Sequence, residues 1–380
     1  MVVVSKEVFY KHVLKDTGCQ FVHYWTPSCT TALSNLLPNV VLGTTKFFIP
    51  IFIIRLIMDY KMKKKNIGKR SLKRVFRTVF YGFLMGTFTF GSICLLAKTF
   101  GLHFYTALLV PGLISGTSIL VESKENQNLN TLMFFNSFLE TCLNALRLSS
   151  VQQTALFMIT SGILMHLFEK RNKEIDFNYF WFFIPKLKND KYRKNRKSLK
   201  QIGEISLQAF FKYSLVGVGI NLTKRLLGKL NSIFKDPKKI FDVIFHKSNI
   251  YFGLFVGVYV GLYMAISSYL ELNDQTKEWR GLISGIISGI TYICCPTIQV
   301  LVLALTTTLQ MIYHRFCEKY KITDHFYQRL LIFQLTHAIN LHNKFFNDEI
   351  CSPYYDKMID ACTNNVSAII KHEVINKTLS

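Results

Sequence analysis

The segment Phe80-Tyr81-Gly82-Phe83-Leu84-Met85-Gly86 returns later in the chain as Tyr251-Phe252-Gly253-Leu254-Phe255-Val256-Gly257. Gly112-Leu113-Ile114-Ser115-Gly116 returns unchanged as Gly281-Leu282-Ile283-Ser284-Gly285. Around them the order of segments is also shared: Thr131 to Arg147 follows the pattern of Gln299 to Arg315, and the run from Val151 matches one from Phe326. Both copies have a lead-in, Lys46 to Arg55 and Lys212 to Arg225, followed by a basic stretch. A glycine-spaced apolar unit written twice restricts the fold to one in which two equivalent bundles are built from the same parts.

The apolar runs decide the solvent. Half of the 380 residues are hydrophobic and 14% are aromatic. Val75 to Ala97, Phe104 to Val121, Leu129 to Leu146, Val151 to Phe168, Ile250 to Leu270, Leu282 to Ile293 and Thr297 to Ile312 read as spans, several of them near the roughly 20 residues a bilayer takes. The reading is therefore an all-α, polytopic membrane protein made of two repeated four-helix glycine-rich units, each preceded by an interfacial helix. Expected boundaries are a cysteine-containing cap at 1–32, a first repeat at 33–170, a basic linker at 171–202, a second repeat at 203–345 and a C-terminal tail at 346–380.

The net charge of +23 is confined to connections. One cluster includes Lys61, Lys63, Lys64, Lys65, Lys69 and Arg70, and another includes Arg193, Lys194, Arg196 and Lys197. A third runs from Lys224 to Lys247. Four alternating spans bring the first two clusters to one face, while the opposite connections (Lys98 to His103, Ser149 to Ser150, Glu271 to Glu278) are short and poor in basic residues. These clusters are expected to set topology and to contact anionic lipid headgroups. No interleaved aromatic platform of the kind that stacks bases accompanies them, so nucleic acid is not an expected partner.

The same parity argument places the lead-ins. A fifth span per unit would carry the Lys224 to Lys247 loop to the wrong face, and both lead-ins hold a lysine near the middle, Lys46 and Lys212. A lysine costs about 2.5–3.5 kcal/mol at a bilayer centre and little at its surface. Eight spans with two in-plane helices is the expectation; ten spans with inverted repeats is the alternative.

Gly82, Gly86, Gly112, Gly116, Gly253, Gly257, Gly261, Gly281, Gly285 and Gly289 recur at four-residue spacing within their segments and so share helix faces. Lipid supplies no hydrophobic force between helices, so such faces mark close backbone packing. A glycine-lined path or gate is the other reading. Glu140 lies inside an apolar run with Asn136 and Asn144 a turn away on either side, Arg147 two turns on and His166 in the next run. An intramembrane carboxylate needs a partner or a proton. It is either an ion, proton or substrate determinant or a polar knot between helices; the second copy has Thr308 or nearby hydroxyls there.

Ahead of the first apolar run, Cys19, His23 and Cys29 offer three of the four ligands that structural zinc takes, with His12 or a distant histidine to finish the set. A packed cap and redox chemistry are the competing readings. The other cysteines are scattered, and Cys94, Cys142, Cys294 and Cys295 fall within or beside spans, which argues against an extracellular disulfide framework. Met1 to Lys15 lacks the pattern of a cleavable secretory signal, so targeting is expected to be internal. Gly217-x-Gly219 lacks the third glycine of a dinucleotide fingerprint, and no phosphate loop, His-Glu-x-x-His or Gly-x-Ser-x-Gly is present. No catalytic residues and no cofactor are expected, and the chain reads as a non-enzyme.

The His23-Tyr24-Trp25-Thr26-Pro27-Ser28-Cys29 motif with Cys19 resembles the cysteine-rich N-terminal signature of the transmembrane protein 135 family. Ile119 to Lys124, Phe138 to Thr141, Asn249 to Gly257 and Ser352 to Tyr355 resemble that family in the same order, across nearly the whole chain. The loop between the halves is shorter here. The resemblance implies a multi-pass protein of mitochondrial and peroxisomal membranes, associated with fission and fusion balance, with lipid metabolism and with organelle-dynamics partners. It also implies distant similarity to the four-span inner-membrane import translocases. A translocator of a lipid, acyl derivative or small metabolite is the alternative function.

Overall fold

In the computed structural model, which describes residues 4–13, 18–61, 67–170, 199–236, 238–272, 278–322 and 326–379, every regular element is helical. Met1–Arg147 holds α1 (Lys6–Val8), α2 (Cys29–Lys61), α3 (Ile67–Thr99), α4 (Leu109–Gly116) and α5 (Lys124–Leu146). Leu148–Ile322 holds α6 (Ser150–Glu169), α7 (Leu199–Lys235), α8 (Lys239–Ile244), α9 (Lys247–Leu270), α10 (Arg280–Gly289) and α11 (Ile298–Lys319). The last stretch, Thr323–Ser380, contributes α12 (Phe326–Phe346), α13 (Pro353–Cys362) and α14 (Val366–Leu379). It folds back into the first unit, so the two compact units are Met1–Arg147 with Thr323–Ser380, and Leu148–Ile322.

This partition does not follow the order of the sequence repeats: α6 joins the second unit, and α12 joins the first. In the first unit α12 lies against α4 and α5, and α2 lies against α3. In the second, α6 lies against α10 and α11, and α7 against α9. The stretch expected as a tail at 346–380 is two packed helices, with Tyr355, Ile370 and Val374 almost wholly buried. The expected linker at 171–202 falls outside the described residues except for its last few, which open α7.

Local chemistry starts and stops these helices. Ser123 caps α5 by accepting from the Asn126 amide, and Ser149 and Gln152 form a reciprocal capping box on α6. Ser352 caps α13 ahead of Pro353, whose missing N–H costs nothing at a helix start. Helix α5 ends where Arg147 turns left-handed at φ 46°.

Glycine sets how closely the helices approach. A Cβ at Gly82 would lie 2.5 Å from a Thr44 side-chain atom, and one at Gly86 would lie 3.0 Å from Val40, so α2 runs antiparallel along α3. Gly253, Gly257 and Gly261 admit α7 in the same way, facing Val218, Ser214 and Phe210 in turn. Gly112 and Gly116 admit α12 at Ala338 and Gln334. Gly281, Gly285 and Gly289 admit α6 at His166, Gly162 and Met158. Helix packing of this kind draws on van der Waals contact where lipid gives no hydrophobic drive.

Among the described residues, five helices are long and apolar enough to cross a membrane: Leu72–Thr99, Ser150–Glu169, Leu199–Leu226, Lys239–Leu270 and Ile298–Lys319. Eight were expected. The segments around Gly112 and Gly281 form helices too short to cross alone, Leu109–Val121 and Arg280–Cys294, each ending in a 3₁₀ turn. Helices α5 and α12 carry too much polar surface, as Asn126, Gln127, Asn130, His337, Asn340 and Lys344 show, and they bury it inside the unit. The second lead-in, expected to lie in the membrane plane, has the dimensions of a candidate span. Leu199–Leu226 has the length and hydropathy of a span and turns Leu207, Phe211 and Leu215 outward, while Lys212 lies over the Tyr213 ring, 5.8 Å from its centroid. Snorkelling of the long lysine stem makes one such charge tolerable.

Candidate functional site

The face of α3 that carries Gly82, Met85, Gly86 and Thr89 repeats at three- and four-residue spacing and so lines one side of a cleft inside the first unit. Met133 and Phe134 of α5, Leu341 of α12 and Met358 of α13 form other walls, and Val22 of the N-terminal cap contributes to one edge. The cleft has a cavity volume of about 80 Å³. It is therefore narrow, and its lining is almost entirely apolar. Such a space suits a slender apolar chain better than a hydrated solute.

Polar groups around it are tied to one another. His337, fully buried, has Nε2 3.1 Å from the Ser115 hydroxyl and Nδ1 3.0 Å from the Tyr355 hydroxyl. The Thr141 hydroxyl bonds Asn340 Oδ1 at 3.1 Å and accepts from the Ser352 amide, also at 3.1 Å. The Ser352 hydroxyl donates to Glu140 Oε2. Glu140 thus fastens the start of α13 to α5. Asn144 Nδ2 donates to the Ile350 carbonyl at 3.2 Å, and Asn136 is half-buried on the same helix. Arg147 points elsewhere, pairing on the surface with Glu349 at 2.9 Å. His166 belongs to the second unit, where it stacks on Trp279 with ring centroids 5.8 Å apart.

A group of charges ties α12 to α13 and α14. Lys344, wholly buried, pairs with Asp356 at 2.5 Å and Asp360 at 2.7 Å, and Lys371 pairs with Asp348 and Asp356. Burial works to raise the Asp356 pKa, but bonds from Lys344 and Lys371 outweigh it and hold the carboxyl below its ordinary value. Burial works to lower Lys371, and Asp348 with Asp356 hold it above its ordinary value.

Four buried polar atoms on α3 and near the 3₁₀ turn packed against it are left without a protein hydrogen-bond partner: Thr78 Oγ1, Tyr81 OH, Ser118 Oγ and Glu122 Oε1. The other carboxylate oxygen of Glu122 accepts from Asn126 Nδ2 at 2.9 Å.

At the N-terminal side of the unit, Cys19, His23 and Cys29 come together, and Cys94 of α3 joins them. The fourth member is therefore neither His12 nor a distant histidine. Burial raises the Cys19 thiol pKa, and the adjoining Cys29 raises it further. Cys94 gave no signal in spacing, since it lies far along the sequence inside an apolar run and meets the other three only through the fold. Lys344, His337 and Tyr355 were missed for the same reason. Of the basic residues, Lys63, Lys64, Lys65, Arg193, Lys194, Arg196 and Lys197 lie outside the described residues, while Lys61, Lys69 and Arg70 are helical.

No family model matches the chain. No solved structure matches it either.

Proposed function

We propose that this chain is a non-enzymatic membrane protein that accommodates a lipid acyl chain in its first unit. In this reading it acts in mitochondrial or peroxisomal membranes as a regulator of organelle dynamics and lipid metabolism. The observation that carries the lipid part is the narrow apolar cleft between α3, α5, α12 and α13. The organelle and the process rest on the resemblance of the Cys19 and His23 to Cys29 motif and the matching stretches. Basic residues at the helix ends, including Lys61, Lys69 and Arg70, would add attraction to anionic headgroups.

A translocating role is the second reading, favoured by the buried unpartnered atoms of Thr78, Tyr81, Ser118 and Glu122, which give water or a polar group somewhere to bind on α3 and beside it; of these residues Tyr81 lines the cleft.

One experiment addresses both. The purified chain in vesicles is given a photo-crosslinkable fatty acid, and the labelled residues are mapped. Label is expected near Met85, Met133 and Leu341, lost in Thr89→Phe, which fills the cleft, and kept in Leu331→Phe, which changes an exposed position. Equal labelling in the two variants would remove the cleft from the function. Protein-dependent movement of the probe between leaflets would favour translocation over retention.

A further inference from the structure

The cap carries a ligand set whose assembly the lipid reading neither needs nor explains. The sulfurs of Cys19, Cys29 and Cys94 and an imidazole nitrogen of His23 all lie within 4.8 Å of one another. Around zinc, with Zn–S of about 2.3 Å and Zn–N of about 2.0 Å, the edges of a tetrahedron are about 3.5–3.8 Å. The Cys19 and Cys29 sulfurs are already 3.5 Å apart. Closing the longest edge takes a shift of about 1 Å, within reach of side-chain rotation.

The histidine decides between a metal and a packed cap. His23 is fully buried, and its Nδ1 is 2.9 Å from the Thr26 carbonyl oxygen. A carbonyl only accepts, so Nδ1 carries the proton and Nε2 presents a lone pair. That Nε2 is buried with no hydrogen-bond partner. A backbone carbonyl fixing the tautomer from behind is the usual support of a metal-bound imidazole. A disulfide does not account for the arrangement: it would join two of three thiols, requires sulfurs about 2.05 Å apart, and leaves the imidazole lone pair stranded.

We infer that Cys19, His23 Nε2, Cys29 and Cys94 form a closed, structural Zn²⁺ site that clips the N-terminal cap to the end of α3. Three thiols and one imidazole fill all four positions, which leaves no open one for substrate. Binding releases three thiol protons to solvent and leaves the centre with a net charge of −1. Lys98 lines a shallow opening beside Cys19 and Cys29, which gives the ion a way in and places a cation near the anionic centre.

The test uses the full-length chain, purified in detergent under reducing conditions through a tag that needs no immobilised metal. Elemental analysis is expected to find about one zinc per chain, and zinc X-ray absorption a shell of three sulfurs and one nitrogen. Cys94→Ser should retain at least about tenfold less zinc against a chelator, whereas Cys142→Ser, outside the cluster, should retain it fully. Cys94→His should keep the metal with a two-sulfur, two-nitrogen shell, and this variant and the wild-type spectrum decide the matter if Cys94→Ser fails to fold. Folded wild-type protein free of zinc, a Cys19–Cys29 disulfide in protein whose thiols were trapped at lysis, or undiminished zinc in folded Cys94→Ser would each overturn the assignment.

Discussion

Lys344 shows how a single side chain can be read two ways. In the sequence it is one lysine among many, with no spacing that gives it a partner. In the fold it is wholly buried, with Asp356 and Asp360, one helical turn apart on α13, closing on its ammonium group. Removing one partner of a buried ion pair leaves charge uncompensated, so Lys344→Met is expected to cost about 3 kcal/mol, measured by denaturant titration in detergent. The same cluster gives a pH dependence. Asp356 has a depressed pKa, so its contribution is present above the ordinary carboxylate range and is lost as pH falls through the lowered value. Lys371 has a raised pKa, so its contribution is full below the ordinary lysine range and fades as pH rises through the raised value. Thermal stability should therefore hold across neutral pH and fall at both extremes, and Asp356→Asn should flatten the acid limb. Glu140 was legible as a buried carboxylate that needs a partner. Its partner, Ser352, was not, because nothing in the spacing brings the C-terminal stretch onto α5.

Helix pairs divide in the same way. The glycine seams were visible from four-residue spacing alone, since a 3.6-residue period puts such positions on one face. What each seam faces depends on tertiary contacts, and the pairing of α7 with α9 is the clearest case. A Cβ at Gly257 would lie 1.9 Å from Ser214 Oγ and 2.8 Å from the Phe210 carbonyl oxygen, whereas one at Gly219 would meet nothing within 4 Å. Gly257→Val should destabilise the second unit by about 2 kcal/mol or more through overpacking, while Gly219→Ala should be neutral or gain up to about 1 kcal/mol from helix propensity. Thermal unfolding in one detergent compares them, and equal melting temperatures would refute the seam. For the second lead-in two signals differ. Parity of the basic loops argued for an in-plane helix, but Leu199–Leu226 has the length of a span and an outward row of Leu207, Phe211 and Leu215. A charge-counting argument loses its force once a segment ahead of the Lys224 to Lys247 loop, such as Leu109–Val121, is too short to cross alone and shifts the parity.

For the molecule as a whole, duplication was legible and partition was not. Repeats in sequence suggest units that are contiguous, but a fourth helix finds whichever surface buries its face best. Here α12 supplies that helix to the first unit and α6 to the second. A chain stopped after Ile322 is therefore expected to keep the second unit protected from protease, while the first, lacking α12, α13 and α14, is digested. Equal protection of both would contradict the partition.

The interleaving also imposes an order in time. On the ribosome the second unit is continuous and has every part it needs once Ile322 has emerged. The first unit, although synthesised earlier, must wait with Ala338 and Gln334 still unmade opposite Gly112 and Gly116. What is made first thus closes last, and throughout that interval its unpaired helix faces are the surfaces on which a chaperone, the insertion machinery or a misplaced neighbour would act.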